Sequence, residues 1–118
     1  MLQVQIHRET LTVHFAPWTR LFTRTGSVSV PLTQIAAVDL LDRPLGAATG
    51  VRYGLLVSGV IKIGTWTSLR GVKRLVAARR QVSGVRIVLK SRASHHDELI
   101  LSVPDAEHLQ RRLIAATA

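Results

Sequence analysis

Cysteine is absent from this chain of 118 residues, which excludes disulfides, a thiol nucleophile and any zinc site built on cysteine. Aromatic residues make up only 4%, so there is little with which to stack nucleic-acid bases. Acid is missing from the whole middle of the chain. Between Arg43 and His96 there is no Asp or Glu, whereas Arg52, Lys62, Arg70, Lys73, Arg74, Arg79, Arg80, Arg86, Lys90 and Arg92 all fall there. Long apolar runs are lacking too: "GLLVSGVIKIG" is short of the roughly 20 apolar residues of a membrane-spanning helix. The opening "MLQVQIHRET" has no basic segment followed by an apolar one, so no signal peptide is expected. The chain reads as cytoplasmic, with a place at the membrane periphery left open.

What is present suffices for a core. A 47% hydrophobic content at this length predicts one folded domain over residues 1–118, and no repeat or linker divides it. The net charge of +9 has two readings. Either it attracts anionic partners such as acidic lipid, phosphate backbones or acidic protein faces, or it is compositional and serves solubility. That thirteen of the sixteen basic residues are arginine suits the second.

Alternation dominates the first half. Leu2, Val4 and Ile6, then Leu11, Val13 and Phe15, point one way, with His7 and His14 the other. This predicts a β-hairpin turning at Glu9 and Thr10, which would make His7 and His14 diagonal neighbours. "APWTRLFTRTG" reads as a short helix: Trp18, Leu21 and Phe22 recur at helical spacing and would cap the sheet, Trp18 in the core, with Arg20 and Arg24 on the wet side. "SVSVPL" and "QIAAVDLLD" read as strands, with Pro31 at a strand end or edge. "DRPLGAATG" reads as a loop, and "VRYGLLVSG" as either an extended segment or a long loop. "VIKIGTWTS" and "GVKRLVAAR" are strands, "QVSG" a turn, and "VRIVLKS" and "DELILSV" strands joined by "RASHH". In "SVPDAEHLQRRLIAATA" Ser102 is placed to cap a helix whose apolar stripe is Ala106, Leu109, Leu113 and Ala116, widened by Ile114. About seven strands and one terminal helix predict a mainly β, α+β fold, a curved antiparallel sheet or small barrel capped by that helix.

Three segments in order, "VPLTQIAAVDL", "SGVIKIGTWTS" and "DELILSVPDAEHLQRRL", resemble the bacterial pleckstrin-homology-like domains, in particular the short single-domain kind common in actinobacteria. The likeness runs from Val4 to Leu113. It implies two nearly orthogonal antiparallel sheets closed by the C-terminal helix, and it implies binding or assembly, not a reaction. Phosphoinositide-binding members carry several basic residues in the first hairpin loop. Here "HRETL" offers Arg8 beside Glu9, so that lipid site is not supported.

For chemistry the residues promise little. GxSxG, phosphate-loop and HExxH patterns are all absent, and nothing in the spacing pairs Asp39, Asp42 or Asp97 with a histidine near Ser27, Ser29 or Ser58. His95, His96, Asp97 and Glu98 are the one dense run of metal-ligand types, but neighbours on a strand point to opposite faces and read as a solvated turn. No catalytic residue, metal, cofactor or small-molecule substrate is expected. The remaining candidates form an anionic-surface set: Arg70, Lys73, Arg74, Arg79 and Arg80 around one strand, with Arg20 and Arg24. At about 3.3 Å per residue the ends of that strand are roughly 20–25 Å apart, giving two patches on an open surface and not one pocket. The function expected is a non-enzymatic binding or assembly module working through protein contacts or self-association. The alternative is a weak electrostatic binder of acidic membrane lipid, with nucleic acid ranked lower.

Overall fold

The computed structural model describes residues 2–93 and 95–117. Ser94, within the expected "RASHH" turn, lies outside the described residues. Nine strands build two open sheets. A three-stranded sheet takes β1 (Leu2–His7), β2 (Thr10–Phe15) and β3 (Ser27–Pro31) in that order. A six-stranded sheet takes β4 (Ile35–Leu41), β5 (Val51–Val57), β6 (Ile61–Thr67), β7 (Lys73–Arg79), β8 (Gly84–Ala93) and β9 (His96–Ser102), in the spatial order β4-β8-β9-β7-β6-β5. Among the described residues no helix is long and apolar enough to cross a membrane.

The fold is mainly β with a terminal helix, as expected, but it has more strands than expected and one pair that is not antiparallel. "VRYGLLV" is a full strand, β5, and the "DRPLGAATG" loop contains the one-turn helix α2 (Pro44–Ala47). β7 and β8 are consecutive and joined by the "QVSG" turn, yet they do not pair. β9 inserts between them, antiparallel to β8 and parallel to β7. Ser102 secures that insertion. Its Oγ accepts from the Arg79 N–H at 3.0 Å and donates to the Val82 carbonyl at 3.3 Å, so the side chain does not cap the last helix.

The reason lies in burial. Leu75, Val76, Ala77 and Ala78 on β7, and Leu99, Ile100 and Leu101 on β9, are fully buried whichever way they point. Strands with two apolar faces belong in the middle of a sheet covered on both sides. One face packs Leu75, Ala77, Leu99 and Leu101 against Leu11, Val13, Val28 and Val30 of the smaller sheet. The other packs Val76, Ala78 and Ile100 with Trp66 and Ala48 under the α2 segment.

The first hairpin turns one residue earlier than the pattern suggests. Arg8 adopts φ 55°, which lets Arg8 and Glu9 make the turn and pairs His7 with Thr10 and His14 with Gln3. The two histidines are therefore not neighbours. The segment after Phe15 forms a 3₁₀ turn (Pro17–Thr19) and one turn of helix, α1 (Arg20–Thr23). Its buried residues are Thr19 and Thr23, while Trp18 is 49% and Leu21 81% exposed. The expected core role of Trp18 falls to Trp66. Thr19 and Thr23 turn inward because their hydroxyls donate within the turn, to Ala16 and to Thr19 and Thr25, and so are buried satisfied.

The helix α3 (Ala106–Thr117) packs on β4 and β8 and buries Ala106, Leu109 and Leu113; Ala116 and Ile114 are exposed. Gln110 donates from its side-chain amide to the Val38 carbonyl of β4 at 3.2 Å, which ties α3 to this end of the large sheet. Leu113→Ala is expected to cost about 2–5 kcal/mol in urea unfolding. Ile114→Ala should stay within about 0.5 kcal/mol. Equal losses would show that α3 does not seat on the sheet in this orientation.

Candidate functional site

Several of the basic residues are engaged by the fold itself. Lys62 sits on the Trp66 side of β6, its Nζ donating to the carbonyls of Leu45 at 2.8 Å and Ala48 at 2.7 Å, with the Trp66 ring 5.9 Å away. It closes the end of the α2 segment over the second core. Burial pushes its ammonium below the ordinary lysine range. Arg74 donates to Glu98 at 3.3 Å and to the Thr49 carbonyl at 2.9 Å, and Arg86 approaches the same Glu98 oxygen at 3.6 Å. Arg92 pairs with Asp97 at 3.0 Å and also donates to the Gly71 carbonyl.

The expected open surface is therefore corrected at Arg74. Only 16% of its side chain is accessible, because the parallel register sets it directly beside Glu98. The other candidates scatter. Arg79 and Arg80 lie exposed at the end of β7, where with Arg43 they border a cleft of about 430 Å³ beside α2. Arg70 is exposed on the turn before β7. Arg20 stays on the wet side and donates to the Phe15 carbonyl at 3.3 Å. Arg79 is six steps along the strand from Lys73, about 20 Å, so the two ends of β7 are separate places.

The run His95 to Glu98 is dispersed in the same way. His96 is buried, its Nε2 2.8 Å from the Thr65 hydroxyl, while His95 is exposed. Asp97 accepts from the Lys73 backbone N–H at 3.0 Å and from Arg92, and Glu98 faces the two arginines. Among the described residues no three His, Asp or Glu side chains come together.

One place does collect groups that the sequence keeps apart. At the Lys73 end of β7 a cleft of about 600 Å³ opens between α1 and the sheet. Its floor is Thr65 and Thr67 on β6, one wall is Arg24 and Tyr53, and the other is Lys73, His95 and His96. The Arg24 guanidinium lies 4.2 Å from the centre of the Tyr53 ring, a cation–π contact that holds both side chains at the rim. None of the residues lining the cleft is acidic. Arg24 and Lys73 belong to the expected surface set; Tyr53, Thr65, Thr67 and the two histidines do not. Tyr53 lies on the segment whose conformation the sequence left open, and the histidines carried only the metal pattern.

Comparison with known protein families, curated proteins and solved structures finds no match to this chain.

Two predictions follow from where the charge is used. Lys62→Met should destabilise the fold by about 1–3 kcal/mol, because two partly buried carbonyls lose a charged donor. Lys90→Met, at an exposed position, should stay within about 0.5 kcal/mol. The Lys73 N–H, with help from Arg92, holds the Asp97 carboxyl below its usual 3.8. A depressed folded value means stability that is complete above about pH 4 and drains away as pH falls through the folded value. Asp97→Asn should accordingly flatten the acid limb of a stability–pH curve below pH ~4. An unchanged acid limb would show that this carboxylate is not a source of acid sensitivity.

Proposed function

We propose that the protein is a non-enzymatic binding module of the pleckstrin-homology-like kind that takes up an extended segment of a protein partner along β5. Two sheets with a C-terminal helix are compatible with that kind of domain; the parallel β7–β9 pair is a departure from it. The observation that carries the binding reading is the contrast between the two ends of the six-stranded sheet. At the β4 end, α3 packs on the strand and Gln110 bonds its Val38 carbonyl. At the β5 end nothing among the described residues pairs with the outer side of the strand. β5 is seven residues long, and Val51 is 70%, Tyr53 52% and Val57 45% exposed.

A long apolar edge strand invites a further strand, and natural proteins usually blunt such edges with a bulge, a proline or inward charge. Gly54 and Gly64, which face each other across β5 and β6 at φ 146° and 140°, keep this pair close. A Cβ on either would collide with the facing strand's backbone. Charge then selects the partner. Arg52 lies on β5, Arg24 stacks on its Tyr53, and no acid occurs between Arg43 and His96, which favours an extended segment that carries acidic side chains.

Short peptides of alternating Val and Glu test this directly. They should bind at low salt and protect the β5 amides from hydrogen exchange, while Val/Lys peptides should not. N-methylation of alternate peptide bonds leaves the charge intact but removes main-chain donors, and should weaken binding about tenfold or more. A dimer in sedimentation velocity with β5 amides as the protected set would make a second copy the occupant. Peptide binding indifferent to N-methylation, in a protein that stays monomeric, would remove edge pairing as the mode of binding.

A further inference from the structure

The cleft between α1 and the Lys73 end of the large sheet has a chemistry of its own, which does not depend on strand addition. Arg24 from the end of α1, Lys73 from the start of β7 and His95 from the β8–β9 turn converge on a floor of threonine hydroxyls, with Tyr53 as an aromatic wall. We propose that this cleft binds a phosphate monoester group.

Three features point there. The first is charge without opposition. Arginine and lysine line the cleft and no acid does, and the carboxylate that follows His96 in sequence, Asp97, has its two oxygens engaged by the Lys73 N–H and by Arg92. Two fixed cations with a flanking imidazole complement a dianion better than a single negative charge, and the guanidinium fork meets phosphate oxygens two at a time.

The second feature is the backbone. Arg24 has φ 62° and His95 φ 68°, in the left-handed region that most side chains avoid. The residue just past a helix end in this conformation is ordinarily glycine. An arginine stands there instead and presents its side chain to the cleft, where it lies over the Tyr53 ring. Arg8 and Gln81 take the same conformation in turns outside the cleft, so what marks this place is the arginine at the end of α1, where glycine is usual and the side chain is carried to the cleft. The third feature is size. About 600 Å³ exceeds what a bare ion fills and lies in the range of small-molecule sites. The phosphate therefore arrives on a larger group, with room for that group against Tyr53.

The group can be supplied by a soluble phosphomonoester or by a lipid headgroup, and the experiment separates them. Amide and side-chain NMR shifts are followed while inorganic phosphate, glycerol 3-phosphate and, as a control anion, acetate are titrated into the full chain. Sedimentation with vesicles containing phosphatidic acid forms the lipid arm. Phosphate and its ester should shift Thr67, Lys73 and His95 at concentrations where acetate does not. Arg24→Gly relieves the backbone, so its melting temperature should hold or rise while the affinity falls about tenfold or more. Lys73→Gln should lose affinity similarly, and Arg79→Gln, which removes the same charge at the other end of β7, should lose none. Glycerol 3-phosphate binding with this variant pattern assigns a soluble ligand; vesicle binding with the same pattern and no response to glycerol 3-phosphate assigns a headgroup. Failure of both arms, or an equal loss in Arg79→Gln, overturns the site. A phosphate response would stand even if strand peptides fail to bind β5, so the two readings fail separately.

Discussion

The burial of two neighbouring strands on both faces is the constraint on which the rest of this molecule depends. β7 and β9 present apolar side chains to both sides, so the large sheet must be covered twice. The smaller sheet and α3 supply one cover and the α2 segment the other. Burial on both faces also removes water from every backbone group in those strands, which makes complete hydrogen bonding obligatory. The insertion of β9 between β7 and β8 meets that demand: each central strand gains a partner on both sides, and Ser102 satisfies the backbone at the crowded exit.

The second cover explains two of the basic residues, Lys62 and Arg74, that look, in one dimension, like part of a surface. A segment as short as Pro44 to Gly50 cannot stay seated on Trp66 by its own apolar contacts alone. Lys62 and Arg74 tie it down through the carbonyls of Leu45, Ala48 and Thr49. A long basic side chain suits this task, because its aliphatic stem packs while its head reaches orphan carbonyls. Net charge is therefore a poor guide to how much positive potential is available to a partner. Of the basic residues left outside, Arg43, Arg79 and Arg80 lie around α2 and Arg20 and Arg24 around α1, while Arg8, Lys90, Arg111 and Arg112 are scattered over the first hairpin, β8 and α3.

The outer strand and the cleft arise from the same architecture. Packing α3 on the β4 end uses the only long helix among the described residues, and the β5 end is left without an equivalent. α1 is too short to lie along β5. It sits over one part of β5 and β6 instead, and the gap between it and the start of β7 is the cleft.

The alternation of Leu2 to Phe15, the stripe of α3 and the unbroken "LVAA" of β7 determined element types, because each is a local period that directs side chains to one face or to both. Pro31 at a strand end was legible for the same reason: a missing N–H has local consequences. Tertiary structure decided what no period contains. Which strand lies beside β7 depends on a residue range more than twenty positions later, and with it the fate of Arg74, paired with Glu98 instead of exposed. Trp18 and Trp66 have equal hydrophobicity, but only Trp66 faces a second core whose cover the sequence presents as a loop. Arg24, Tyr53, Lys73 and His95 come from four segments, and their convergence exists only once α1 is seated against β6. Burial and proximity are properties of pairs of elements, and a sequence read along one element carries only half of each pair.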